Sequence, residues 1–385
     1  MRVVAFLLGL LAAPLTARAE DIPHALSTGG TCSVPADEHW KPQEQFVWNR
    51  VCLGEEANFN LEQGYGGDLD PKKPPGLPES RVLSSTFLAT ILLSDKYRNA
   101  LTRRGVRITG ARFTERVDLH NAELSSELWL DRSLLEKGAD LQGLRSTRRI
   151  TLYGSKVTGP LKMTALDLRG DLHIGGEAEF GAVDLSSAHV GGDLNLSGST
   201  VAEDLNMVGL QVDAYLEMDD GKFTRIDLTS ARASWLSLDG SRVTGLLDMG
   251  FLHVDNNLVM TGAEFADVLL GLAHVQGHLV LANSKVTGDL EMLGLRVDGN
   301  LMAIKVEVSK ASLTMAVVDG TLSLIGATVN GDLDMSGLRI GRDLQLMSIS
   351  EKSLVTGTTE ALRSSFDAGA KGGQRFDSFS QTEVC

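Results

Sequence analysis

Aromatic side chains are scarce, at 5% of 385 residues, and only 3 cysteines and 9 prolines are present. So few large rings argue against a conventional thick core. No stretch reaches the ~20 uninterrupted apolar residues that a spanning helix needs, so no transmembrane anchor is expected. Basic groups are outnumbered: 36 Lys+Arg face 50 Asp+Glu, a formal charge of -14. A surface of that sign repels nucleic acid and anionic membranes, so no nucleic-acid partner is expected. Nucleotide-binding loops, metalloprotease helices and zinc-type cysteine pairs are all missing from the sequence. What the chain has in quantity is glycine, 41 residues, which points to many turns.

Arg2 precedes an apolar run from Val3 to Ala13, then Pro14 and the small-x-small triplet Ala17-Arg18-Ala19. That pattern reads as a signal peptide over residues 1–19, and it predicts a secreted protein, periplasmic or extracellular. Its removal leaves 34 Lys+Arg against 50 Asp+Glu, a formal charge of -16. Cys32 and Cys52 flank a short segment in a compartment that permits disulfides, so a Cys32–Cys52 bridge is expected. Cys385 then has no partner within the chain, and is either a reduced thiol or an intermolecular link.

Residues 20–104 read as a helical capping domain. Pro42 to Leu53 sets Phe46, Val47, Arg50 and Val51 at near-helical spacing, with Pro42 in the first turn. Ser84 to Arg104 offers Ser84 or Ser85 as N-cap, puts Phe87, Leu88, Ile91 and Leu92 on one face, and stops at Gly105. The Pro/Gly/Lys stretch from Gly64 to Pro78 between them reads as a loop.

Over residues 105–350 a fixed period takes over. Apolar residues head equivalent segments at Leu161, Leu172, Val183, Leu194, Leu205 and Leu216, each 11 residues after the last. The register slips by one through Ile226 and Leu236, then resumes at Leu247 and Leu258. It continues through Val268, Leu279, Leu290 and Leu301, stumbles near Leu313 and Leu322, and closes with Leu333 and Leu344. In one copy Val190, Gly192, Leu194 and Leu196 alternate with outward Asp193 and Asn195, the period of an extended strand. Gly198, Gly209, Gly240, Gly262, Gly294, Gly326 and Gly337 form a turn column that tolerates positive φ. Each 11-mer therefore reads as one short strand plus one tight turn. A lone unit cannot bury its Leu/Val row, but stacked units can, and each fully buried Leu or Val is worth roughly 1.5–3 kcal/mol. Pro160 occupies a strand position and predicts a coil that is distorted or near an edge. Residues 351–385 read as a disordered tail.

The copies Gly-Asp-Leu-Asn-Leu (192–196), Glu-Asp-Leu-Asn-Met (203–207) and Gly-Asp-Leu-Asp-Met (331–335) resemble pentapeptide-repeat proteins and related bacterial right-handed β-helices, over roughly residues 106–348. Pentapeptide proteins keep a five-residue period; this chain keeps 11, as though one residue were added to every pair of pentapeptides. The phrases Val47-Trp48-Asn49-Arg50-Val51-Cys52-Leu53-Gly54 and Gly105-Val106-Arg107-Ile108-Thr109-Gly110-Ala111 look like exported bacterial proteins of this kind. The resemblance implies an all-β fold: a right-handed parallel β-helix (β-solenoid) of 11-residue repeats with a small N-terminal helical cap. It carries over no catalytic residue. Some proteins of that family are acidic DNA mimics that bind topoisomerases, a cytoplasmic target that the signal peptide argues against.

If two 11-mers complete each coil, alternate units share a face. One face presents Asp184, Asp204, Asn206, Asp227, Asp248, Asp267, Asp289, Glu291, Asp332 and Asp334. This acidic ladder makes Ca²⁺ the one cofactor to consider, with a solubilising surface as the plainer reading. The other face begins with Asp171, Asp193 and Asn195 and then shows Tyr215, Trp235, Asn257, Val259, His278, Val280, Asn300 and Met302. A surface mixing aromatic, apolar and amide groups suits glycan or protein binding. His253 and His274 share a column, with His278 four residues along, and are weak candidates for a metal trio. Exposed turn histidines are the plainer reading.

Solenoid enzymes build a cleft from long insertions between coils, and here the repeats run with only small slips. The expected function is therefore a non-catalytic exported scaffold presenting the Tyr215–Met302 face to an envelope protein or polysaccharide. A self-associating structural protein, a homo-oligomer joined end to end or through Cys385, is the alternative. A polysaccharide-active β-helix enzyme stands behind both.

Overall fold

The structure, a computed structural model, describes residues 32–73 and 76–346 together with strand positions 350–351 and 355–356. The expected leader, residues 357–385 of the expected tail and Cys385 lie outside the described residues. Parallel pairing repeats every 22 residues: Ile150 lies beside Leu172, and Leu172 beside Leu194. Two 11-residue units thus complete one coil, and about 11 turns stack as a parallel β-solenoid. Alternate units form two sheets. The first contains Val190 and Leu194, and the second contains Val201 and Leu205.

Each unit is more finely divided than one strand and one turn. Leu205 and Met207 point inward before a turn, Leu210 and Val212 after it, and none is more than 2% exposed. Between such pairs the chain bends. Gly191 and Gly192 form the bend that separates His189–Val190 from Leu194–Asn195, so Gly192 is not part of a continuous inward row. In several later units the two ladders fuse into strands of 6 or 7 residues. The one-residue slips fall in the bend: Val201 pairs with Phe223 but Asp204 with Arg225. A residue lost there removes no ladder pair, and the inward rows stay aligned. The stumble near Leu313 has the same origin, because the ladder residue is Ala311, paired with Leu290 and Leu333. Pro160 also sits in a bend. Lys156–Val157 and Leu161–Lys162 on either side of it keep both neighbours, so the expected distortion is not found.

The seven glycines of the turn column adopt φ between 63° and 72°. Other turns place Phe251, Leu272, Lys305 and Met315 in the same left-handed region, at φ 54° to 57°. Beside the turn glycine Gly154, buried Ser155 donates to Leu130 O at 2.6 Å and accepts from Ser133 N at 2.9 Å, tying successive turns together. The ladder also runs past its apparent boundary near residue 350. Ser350–Glu351 pairs with Thr328–Val329, and Val355–Thr356 with Leu333–Asp334.

The N-terminal end is closed by α1 (Pro42–Val51), β1 (Ala57–Asn58), α2 (Ser85–Leu93) and α3 (Asp95–Arg98). β1 lies parallel on β2 (Val106–Thr109), so this segment supplies the first rung and covers the edge. The long second helix expected from sequence is interrupted at Ser94, whose ψ of 128° is extended, and the helix resumes only as α3. Buried Glu44 links the helices, accepting from Lys41 N and from Ser84 N and Oγ. The scarce aromatics gather here: Trp40 packs on Phe87 and Tyr97, with ring centroids 4.9 and 4.8 Å away, and Trp48 packs on Tyr97. The Cα atoms of Cys32 and Cys52 are 5.6 Å apart, within the span of a disulfide. Among the described residues no helix is long and apolar enough to cross a membrane.

Candidate binding face on the first sheet

Coil stacking brings the named face residues into two parallel columns. Tyr215 is in register with Trp235, ring centroids 6.1 Å apart. Asn257 follows, since Leu236 N donates to Asn257 O at 3.1 Å. Two residues along, Ser237, Val259, Val280 and Met302 pair successively. Tyr215 is 50% exposed, and Trp235, Val259, Val280 and Met302 are half-buried. The aromatic pair and the apolar strip therefore lie on one flat sheet surface.

The amide and imidazole groups of the face have a different task. Asn257 Oδ1 accepts from His278 N at 2.8 Å, His278 Nδ1 from Asn300 N at 2.9 Å, and Asn300 Oδ1 from Thr321 N at 2.9 Å. Asp193 Oδ1 serves Tyr215 N in the same way, at 3.2 Å. These amides lie at the bend, where the ladder leaves a donor to be satisfied by other means. A Cβ at Gly299 would lie 2.7 Å from His278 Nδ1, so the bend requires glycine where the acceptor of the preceding coil reaches across. The Gly-His and Gly-Asn pairs at 277–278 and 299–300 are the sequence signal of this arrangement. His278→Ala should strand the Asn300 amide and cost about 1–2 kcal/mol, while His278→Asn should recover most of it. Thermal melts that do not separate the two variants would remove the acceptor role.

Glu217, passed over in the sequence, adjoins Tyr215 two residues along the same strand. Burial, with the charges of Asp193 and Asp219, holds its carboxyl above the usual range. Burial raises Asp219 as well. At a turn nearer the N-terminal end, Asp131 Oδ1 accepts from Thr151 Oγ1 at 2.7 Å and Tyr153 N at 2.9 Å. Burial pushes its pKa up to about 6 despite these bonds, with Glu56 adding to the rise.

The three candidate metal-binding histidines do not converge. His253 and His274 stack in register, centroids 5.1 Å apart and edge-on. His253 Nε2 lies 3.0 Å from Asp255, and His274 Nε2 lies 3.0 Å from Asp298. His278 sits beyond the bend with Nδ1 committed to Asn300. Among the described residues no group of three or more His, Cys, Asp or Glu side chains is arranged to hold a metal ion.

The acidic ladder of the second sheet is continuous only over Asp184, Asn206, Asp227 and Asp248. It splits into two columns, in which Asp204 meets Arg225, Asp289 meets Lys310, and Leu269 separates Asp248 from Glu291. Asp184, Asp227, Asp248 and Asp334 each accept the amide two residues on, at 2.9 to 3.0 Å. They initiate the following turn as Asx residues, which accounts for carboxylates at this spacing without a shared ion.

Fold and face together define a class: a parallel β-solenoid repeat protein, closed by helices at its N-terminal end, with an aromatic strip on one sheet. Comparison with protein-family profiles, curated proteins and solved structures finds no match.

Proposed function

We propose that this protein is an exported, non-catalytic scaffold that binds an envelope polysaccharide along the first sheet. The supporting observation is the Tyr215–Trp235 stack, with Val259, Val280 and Met302 following in the adjacent column at one coil rise, ~4.8 Å, per residue. Such a strip offers ring faces and apolar contacts to an extended chain, with Glu217 beside it as a polar group. Two surface recesses, at Arg103–Arg148 and Arg242–Thr287, include none of the face residues. A carboxylate pair tuned for hydrolysis needs a desolvated cleft, and the strip is flat. Two short ladders per 11-residue unit also support kinship with pentapeptide-repeat proteins, with one residue added per pair. An array of bacterial exopolysaccharides and peptidoglycan fragments tests the reading. Saturable binding to a subset is expected; an array without hits would leave an envelope protein as the partner to seek.

Self-association is the second reading, and a separate observation favours it. Phe251, Leu272, Leu293 and Met315 protrude from consecutive turns along one edge, 60%, 55%, 47% and 68% exposed. Three of them hold the left-handed conformation that Gly209, Gly294 and Gly337 adopt at equivalent turns, at a cost of order 1 kcal/mol each. A second copy supplies a matching ridge. Sedimentation velocity over a concentration series should show a dimer that the double variant Leu272→Gly/Met315→Gly weakens without lowering the melting temperature. A monomer at every concentration would remove this reading.

A further inference from the structure

We propose that the N-terminal end of the first sheet carries an oxyanion site for a phosphate group, separate from the Tyr215–Met302 strip and independent of its function. A recess of about 370 Å³ is lined by Arg103, Arg104, Arg107, Arg148 and a single acid, Glu127. In a chain of net charge -14, four guanidinium groups around one recess are a marked local reversal of sign.

Coil stacking builds the site. Val106 N donates to Glu127 O and Leu128 N to Arg149 O, so residues 104, 126 and 148 follow one another up the stack. Arg107 closes one wall. It pairs with Glu127 at 2.7 Å and lies over the Trp129 ring, 4.1 Å from the centroid. This contact neutralises the only acid in the lining. Arg149 is taken by Asp171 at 2.5 Å. Arg103, Arg104 and Arg148 have no carboxylate partner among the described residues.

Three uncompensated guanidinium groups repel one another, and an anion between them removes that repulsion. Guanidinium forks match the oxygens of phosphate, and charge-assisted bonds of this kind are about twice as strong as neutral ones. The recess also exceeds a bare anion and falls in the size range of small-molecule sites, about 300–1,000 Å³, so the phosphate can be esterified to a sugar. Trp129 Nε1 is buried without a hydrogen-bond partner, and its ring, held under Arg107, provides an optical reporter beside the site.

Calorimetric titration of the intact protein at fixed low ionic strength tests the proposal with inorganic phosphate, glucose 1-phosphate and glucose. Both phosphates should bind saturably and glucose should not. Arg148→Gln and Arg103→Gln, both changes at exposed side chains, should each weaken phosphate binding about tenfold with unchanged melting. Trp235→Ala should leave it untouched. Glucose 1-phosphate binding at least tenfold tighter than phosphate would identify an esterified ligand, and equal affinities a free anion. No heat with either phosphate, or binding that survives both arginine substitutions, overturns the proposal.

Discussion

Replacing Arg81 by methionine is expected to lower stability by about 3–5 kcal/mol, the cost of leaving several buried carbonyl oxygens without their donor. Arg81 is fully buried without a carboxylate against it. Its Nε donates to Tyr65 O at 2.8 Å, Nη1 to Asn60 Oδ1 at 2.7 Å and to Gly110 O at 3.3 Å, and Nη2 to Gly67 O. One side chain thus joins the loop after β1 to the first coil of the solenoid. Methionine fills similar volume but withdraws the donor from three backbone carbonyls and leaves Asn60 Oδ1 with Leu69 N alone, at 3.2 Å. Burial lowers the pKa of Arg81 from its ordinary value, yet a guanidinium stays charged in any ordinary buffer. Near-ultraviolet dichroism of the Trp40–Trp48–Tyr97 cluster should therefore melt far earlier in Arg81→Met. Arg81→Lys, which keeps the charge but not the fork, should fall between. Melting of Arg81→Met within 2 °C of the parent would show that the network contributes little.

Asp131→Asn is expected to do the reverse and stabilise the protein at neutral pH. The folded carboxyl has a pKa of about 6 against an ordinary value of 3.8, so the folded state holds the proton more tightly than the unfolded chain. The sign follows: this group favours folding most below pH 3.8, and that contribution is lost as pH rises through about 6. At pH 7.5 the buried charge costs on the order of 1–3 kcal/mol. Asparagine keeps an oxygen for Thr151 Oγ1 and Tyr153 N and carries no charge. Melting curves from pH 4 to 8 should show the variant gaining on the parent as pH rises, with the two converging near pH 4. A constant difference across that range would contradict the assignment.

Much of the fold is legible because its inward rows are strict. Leu194, Leu205 and Leu216 recur at 11 residues, and only a stacked strand-and-turn repeat buries all of them. The turn glycines were legible for the same reason, since φ near 65° favours them. The bend was not, because Gly192 continues the two-residue alternation and resembles an inward residue. Phe251, Leu272 and Met315 were not legible as turn residues, because apolar side chains read as core and nothing local marks a left-handed φ. On the candidate face, register alone brought Tyr215 to Trp235. Asn257, His278 and Asn300 were read as surface groups, whereas each spends its acceptor on an amide of the next coil. Composition gave the acidic ladder its apparent meaning. Asp227 and Asp248 accept hydrogen bonds from amides of their own turns, which accounts for the spacing. The arginine recess was hidden because Arg104 and Arg148, 44 positions apart, meet only through two coils of stacking.

The Tyr215–Trp235 stack is proposed as the surface that binds the protein's partner. Its most direct test is the affinity of the parent, Tyr215→Ala, Trp235→Ala and Lys222→Ala, a second-sheet control, for whichever polysaccharides score on the array. A loss of about tenfold or more is expected in both aromatic variants, with the control unchanged. Binding that survives Trp235→Ala, or falls equally in Lys222→Ala, would contradict it.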